Sequence, residues 1–220
     1  MIIVIGSLIT LAIFLFVGWA VSAEMYQQRW WRRKVAEGDV DIIGALINEA
    51  IGHWQRSRIP AEMPGSRWAA IQAVELVAVT PNAATLSTSV VPEYRTEEGR
   101  RIKVSSDLDE GVELAAKLLD LLMYDVPNLR LGEVRIDIFA SLGEAGQQPI
   151  VSAVAGRATA DELNWEELSA TEILSRFDTL VAEERNGAII PIELPPVEGV
   201  RPRPAEEAAA EALQPPRRPS

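Results

Sequence analysis

Residues 2–23 carry no charged side chain, and a basic, aromatic cluster follows at Arg29, Trp30, Trp31, Arg32, Arg33 and Lys34. A helix rises about 1.5 Å per residue, so roughly 20 apolar residues cover a hydrocarbon core of about 30 Å. The run therefore predicts a transmembrane anchor over residues 1–23. Its polar members Ser7, Thr10 and Ser22 can bond back to carbonyls of their own helix. Trp19, Tyr26, Trp30 and Trp31 fall at or beyond its far end, where amphipathic rings favour the headgroup zone. With Arg29, Arg32, Arg33 and Lys34 they form the predicted membrane-interface set, in contact with lipid across a juxtamembrane segment at 24–38. Positive charge after the span and none before it places the C-terminal domain in the cytoplasm and the N-terminus outside. The competing readings are a reversed anchor and a signal peptide cut after Val21-Ser22-Ala23. The cut lacks a basic region ahead of the apolar run and would require four cations to be translocated. Gly18 with Ser22, and Gly6 with Thr10, give small-residue spacings that leave self-association of the anchor open.

Beyond residue 38 the pattern changes to that of a folded domain. Asp39 is a helix N-cap, and Ile42, Ile43, Leu46, Ile47, Ala50, Ile51 and Trp54 recur at three- and four-residue steps, predicting an amphipathic helix over 39–58. Pro60 and the Pro64-Gly65 pair mark a linker. A β-like run from Ile71 to Val79, the Pro81-Asn82 turn and an alternating stretch at 83–91 predict a hairpin, closed by Pro92. A short strand is expected at 101–104. Ser106 then caps a helix at 107–124, whose first turn carries Asp107, Asp109 and Glu110 and whose broad face is apolar. Residues 133–141 alternate Val134, Ile136 and Ile138 against Arg135 and Asp137, which predicts one buried face and one wet face. A Gly/Gln loop leads to a strand from Ile150 to about Thr159. A turn at 161–164 and a last helix from Ser169 or Thr171 through Phe177 complete the domain.

The order predicts an α+β fold: a two-layer domain of antiparallel or mixed sheet with helices on one face, occupying residues 67–192 behind a helix and linker at 39–66. From 193 to 220, Pro, Ala, Glu and Arg dominate. Such a composition cannot bury enough apolar area to order itself, so a disordered tail is expected. Within it Arg201-Pro202-Arg203-Pro204 and Pro215-Pro216-Arg217-Arg218-Pro219 favour polyproline II, a form that some partners read.

Charge narrows the candidate partners. The whole chain carries −11, yet residues 39–200 hold 13 Arg and Lys against 27 Asp and Glu, a net of −14. An acidic body is repelled by nucleic acid and by anionic lipid heads, so the domain should stand off the membrane and bind no nucleic acid. The absence of cysteine removes disulfides, thiolate metal sites and cysteine nucleophiles.

Little catalytic chemistry is legible. His53 is the sole histidine and has neither a second ligand nor a marked nucleophile beside it. Asp107, Asp109 and Glu110 are explained by the helix dipole and lack the spacing of a calcium loop. Asp161, Glu162, Glu166 and Glu167 read as a solvated turn, and the spacing of Gly143 and Gly146 is too short for a phosphate loop. No catalytic residue, metal ligand or cofactor is expected. Trp165, a bulky aromatic in a polar turn, reads either as packing over the sheet edge or as an exposed partner anchor. With Ile43, Ile47 and Trp54 it forms the candidate set of partner contacts. The expectation is a bacterial, single-pass, non-enzymatic accessory protein that presents its domain to a protein partner at the membrane. A small-molecule-binding or sensory domain, with its pocket between sheet and helix, is the alternative, ahead of a carboxylate-based enzyme.

Overall fold

The computed structural model describes residues 16–19, 33–91, 93–97, 100–103, 105–186 and 188–201. Most of the expected anchor lies outside these residues; of it, 16–19 are helical. Among the described residues no helix is long and apolar enough to cross a membrane.

The helix expected after Asp39 begins there. The Asp39 carboxylate accepts from the Ile42 N–H at 3.3 Å and opens α1, Val40–Arg56, satisfying a donor that every helix start leaves orphaned. Gly38 precedes it at φ +75, where a Cβ would come within 2.7 Å of the Pro81 side chain. The head of α1 thus abuts the turn of the first hairpin at a point where glycine alone fits.

The run from Ile71 to Val79 divides, contrary to the single strand expected. Ile71 and Gln72 finish α2, Gly65–Gln72, and β1 spans Glu75–Val79. The cause is tertiary. The Gln72 side-chain amide donates to the carbonyls of Trp54, Gln55 and Ser57 at 3.3, 3.1 and 3.4 Å, at the end of α1 where helical carbonyls lack partners. Helical geometry also turns Trp68 and Ile71 inward together, and both are buried.

β1 pairs antiparallel with β2, Ala83–Ser89, as the hairpin pattern indicated. A separate two-stranded hairpin follows, β3 at Tyr94–Glu97 and β4 at Arg100–Lys103. Helix α3 spans Asp107–Tyr124 with Ser106 as its cap, the hydroxyl accepting from the Asp109 N–H at 3.0 Å. β5 covers Glu133–Ser141 and β6 Gln147–Gly156. The strand expected to reach Thr159 stops short, because Arg157–Ala160 forms a turn of helix, α4. Helix α5, Ala170–Leu174, opens on a reciprocal Ser169–Glu172 capping box. The last strands are β7 at Asp178–Val181, β8 at Glu183–Arg185 and β9 at Ala188–Ile190.

The main sheet has the order β1-β2-β5-β6-β7. The β2–β5 pair is parallel and the others are antiparallel. The protein is therefore α+β with a mixed sheet, within the range the pattern allowed. Parallel neighbours need a crossover, here made by the β3–β4 hairpin and α3. On the face toward α3, Val134, Ile136, Ile138 and Ala140 are fully buried, as are Leu86, Ala153 and Ala155. Gly111 lets α3 approach closely: a Cβ there would sit 3.0 Å from Ile150 Cδ1 and 3.3 Å from Val151 Cγ2.

The opposite face corrects the expectation of a wet surface. Arg135 and Asp137 are 8% and 3% exposed. They form an ion pair at 2.9 Å, and the Ser152 hydroxyl donates to the same carboxylate oxygen at 2.7 Å. The chain returns over this face after β9. The Ile192 N–H donates to the Pro149 carbonyl at 3.1 Å, Arg135 Nη1 donates to the Pro196 carbonyl at 3.3 Å, and Val200 bridges antiparallel to Val79 on the edge strand. Residues 193–201, which composition assigned to the tail, are thus a strap across the sheet. Gly199 crosses beside Val79 at φ +117, where a Cβ would lie 2.7 Å from the Val79 carbonyl oxygen.

Candidate functional site

A groove of about 740 Å³ lies between the end of α1, the α1–α2 linker, α3 and residues 165–173. Its walls follow from the elements just described. The C-terminal end of α1 brings His53 and Trp54, α2 brings Arg67 and Trp68, and α3 brings Glu113, Lys117 and Asp120. The polar turn after α4 brings Trp165.

Arg67 ties α2 to α3. Its guanidinium donates to Glu110 at 3.3 and 3.4 Å and to Glu113 at 3.3 Å. Lys117 pairs with Asp120 at 2.6 Å. These contacts occupy Arg67 of α2 and Lys117 of α3, whereas Glu62, Asp125 and Arg58 in the lining have no ion-pair partner among the described residues. Trp68 is buried, and its Nε1 donor has no hydrogen-bond partner among the described residues. A buried donor without an acceptor costs about 1–3 kcal/mol, so the orphaned indole N–H is a notable feature of this wall.

The four candidate contact residues separate. Ile43 and Ile47 are fully buried in the core, on the α1 stripe that packs within the domain. They offer no surface to a partner, because the amphipathic face that made them conspicuous is spent on the fold itself. Trp54 is 6% exposed and lines the groove. Trp165 is half-buried and lines it as well. It packs edge-on against Tyr124 at 5.8 Å between ring centroids, lies 6.1 Å from Phe177, and donates its indole N–H to the Ala160 carbonyl at 3.0 Å. Trp68, like Trp54, reads from the sequence either as packing or as a partner anchor, but nothing in the sequence marks Glu62 and Arg67 or brings this stretch together with Trp165, about a hundred residues later.

A second concavity of about 640 Å³ lies near the start of the described domain, lined by Val35, Ala36, Tyr124, Arg130, Arg157 and Asp161 among others. Arg157 is held by the carbonyls of Leu131 and Met123 at 3.0 and 2.9 Å and lies 5.4 Å over the Tyr124 ring. Burial raises the Tyr124 phenol above its ordinary value, and the Asp161 carboxylate, which accepts its O–H at 3.1 Å, adds to the rise.

Of the membrane-interface set, Trp19 is exposed in the helical turn 16–19. Tyr26, Arg29, Trp30, Trp31 and Arg32 lie outside the described residues. Arg33 and Lys34 both pair with Glu37, at 2.9 and 3.2 Å. The Arg33 contact, then that of Lys34, holds the Glu37 carboxyl below its usual range. Among the described residues no three His, Asp or Glu side chains cluster in a way that could hold a metal ion. The space between α3 and the sheet is filled by Leu114, Leu118, Leu119, Leu122, Ile136, Ile138 and Ile150, each 1% exposed or less.

No family model matches the chain, and no curated protein matches it. Among solved structures it is similar to the C-terminal domain of the sex pheromone staph-cAM373 precursor from Staphylococcus aureus, at 13% identity, with a TM-score of 0.28. The match covers 47% of this chain and 31% of that chain. A likeness so slight carries no conclusion about fold or role.

Proposed function

We propose that this protein is a single-pass membrane-anchored accessory protein that presents an acidic α+β domain, on the cytoplasmic side, to a protein partner. The observation that carries the partner half is the groove: three tryptophans and a methionine at its walls, with uncompensated charge on its rim. Interfaces draw their energy from such aromatic anchors surrounded by polar groups that exclude water. The membrane half rests on the uncharged run at 2–23 and the cations that follow it. Tethering would raise the effective concentration of the domain for any partner held at the same surface. The filled space between α3 and the sheet weighs against a ligand site in that position and in favour of a surface role.

The test is co-purification of full-length protein from its native membrane in mild detergent after brief crosslinking. A stoichiometric partner lost on the rim charge reversals Arg58→Glu and Glu62→Arg supports the reading. A protein that emerges alone, or a partner indifferent to both reversals, overturns it. Removing α1 would be uninformative, because Ile43 and Ile47 belong to the core. Orientation is tested separately with Ser141→Cys, an exposed position in a chain without cysteine. An impermeant thiol reagent should label it only after lysis, and labelling of intact cells refutes a cytoplasmic domain.

A further inference from the structure

The main sheet ends on β1 and on β7, and the two edges are finished differently. At β1, Val79 and Val200 exchange N–H···O=C bonds at 3.0 and 2.9 Å, so the strap closes part of that edge. At β7 no further strand pairs among the described residues. The direction of its main-chain groups follows from the register. The Ala182 N–H donates to the Ile150 carbonyl at 2.7 Å, and Val181 lies across from Val151. Hydrogen-bonded and non-hydrogen-bonded pairs alternate along an antiparallel ladder. Asp178, Leu180 and Ala182 therefore turn their N–H and C=O groups toward β6, and Thr179 and Val181 turn theirs outward. The middle of this edge is apolar: Leu180 and Val181 are each 41% exposed. An open edge is a template for a further strand, which proteins ordinarily guard with charge, proline or a covering segment. Here charge stands only to either side, at Asp178 and at Glu183.

We propose that β7 is a self-pairing edge: a second copy of this chain adds its own β7 antiparallel, across a two-fold axis at Leu180. In that register Thr179 of each copy lies opposite Val181 of the other, and N–H···O=C bonds between them satisfy every outward group of both strands. Leu180 meets its own counterpart, which covers part of the exposed apolar surface. Charge favours the same arrangement. Arg176 comes level with the second copy's Glu184, once on each side of the axis, and Asp178 comes level with the uncharged Ala182. Glu183 and Arg185 already pair within one chain at 3.3 Å. Moving the axis to Val181 would set Asp178 level with Glu184, a like-charge contact. Moving it to Thr179 would set Val181 against Phe177, outside the strand. A parallel addition would set Glu183 and Glu184 beside their own counterparts. The acidic bodies repel one another, but that repulsion is largely screened beyond about 8 Å at physiological ionic strength. Pairing is therefore reversible, and an isologous contact of this kind closes on itself at two copies. The inference uses no residue of the groove and goes beyond the accessory role.

The chain has no cysteine, so single cysteines report the register directly. Full-length Leu180→Cys in mild detergent is oxidised briefly. Full-length Ser141→Cys, also exposed, is the reference for chance collision and for any proximity conferred by the apolar N-terminal run. At a non-hydrogen-bonded site opposed Cα atoms lie about 4.5 Å apart, within disulfide reach. Leu180→Cys should form a disulfide-linked pair about tenfold faster than the reference, reflecting a raised local concentration. Val181→Pro, added to it, removes an outward donor from each copy and leaves the bonds to β6 in place. It should bring the rate down to that of the reference. Should proline disturb the sheet itself, Arg176→Glu serves instead: it should slow pairing about threefold, and Glu184→Arg added to it should restore the rate. Equal rates for Leu180→Cys and Ser141→Cys overturn the proposal. A fast Leu180→Cys rate that neither the proline nor the charge reversal lowers overturns it too. Faster pairing at Thr179→Cys or Val181→Cys than at Leu180→Cys would move the axis and refute the stated register.

Discussion

The two faces of the central sheet are buried by different means. Toward α3, Val134, Ile136, Ile138 and Ala140 meet a helix whose own face is apolar, and stability there comes from area removed from water and close packing. Toward the strap, Arg135, Asp137, Ser152 and Thr85 are buried beneath a segment without regular structure, and the ion pair and its hydrogen bonds replace packing. A buried ion pair contributes little net stability because desolvation offsets its attraction, yet losing one partner is costly. The helix face should therefore tolerate conservative apolar exchange, and the strap face should not tolerate loss of a single charge.

Breaking the pair is expected to have the largest effect. Asp137→Ala leaves the Arg135 guanidinium buried without its carboxylate and should cost about 3–5 kcal/mol in urea unfolding. Replacing both, as Arg135→Met with Asp137→Leu, should recover most of that loss. A double variant as unstable as the single one would show that the pair itself stabilises the face.

The strap is probed next with Gly199→Ala. The positive φ and the nearby Val79 carbonyl leave no room for a Cβ, a strain of about 1–3 kcal/mol. Hydrogen exchange should accelerate at Val79 and Val200 while the α3 amides stay protected. Uniform loss of protection would mean that strap and helix layer unfold together.

On the helix side, Ser169→Ala removes the α5 cap and should cost about 1 kcal/mol. The same box holds the Glu172 carboxyl below its ordinary range, through the Ser169 hydroxyl first and its backbone N–H second. Because the folded state depresses this titration, its contribution is present at neutral pH. It fades as pH falls below the usual 4.5 toward the folded value. A wild-type acid profile that coincides with that of Ser169→Ala would count against the assignment.

The smallest effect concerns Tyr124 at the junction of α3 and α4. Its phenol is raised by burial and by Asp161, so the unfolded chain loses this proton first. Stability should decline as pH rises past the ordinary value of 10.0, and Tyr124→Phe should flatten that decline. An unchanged alkaline slope in the variant would exclude Tyr124 as its source.

Features that depend on near neighbours in the chain were legible from the residues alone. Ser106 and the carboxylates after it announced α3 to the residue, Asp39 announced α1, and the alternation at 133–141 announced β5, because capping and periodicity are local chemistry. The α+β class followed from the order of these elements. Tertiary structure decided the rest. Ile71 and Gln72 carry a strand-like pattern but are helical, since Gln72 completes the carbonyl end of α1 fifteen or more residues earlier. Arg135 and Asp137 look like solvent-facing residues but are buried, because a Pro-rich segment some sixty residues later crosses them. The groove joins residues 53–173, and no window along the chain contains it. Alternation tells which side chains share a face, whereas what covers that face is set by where distant segments come to rest.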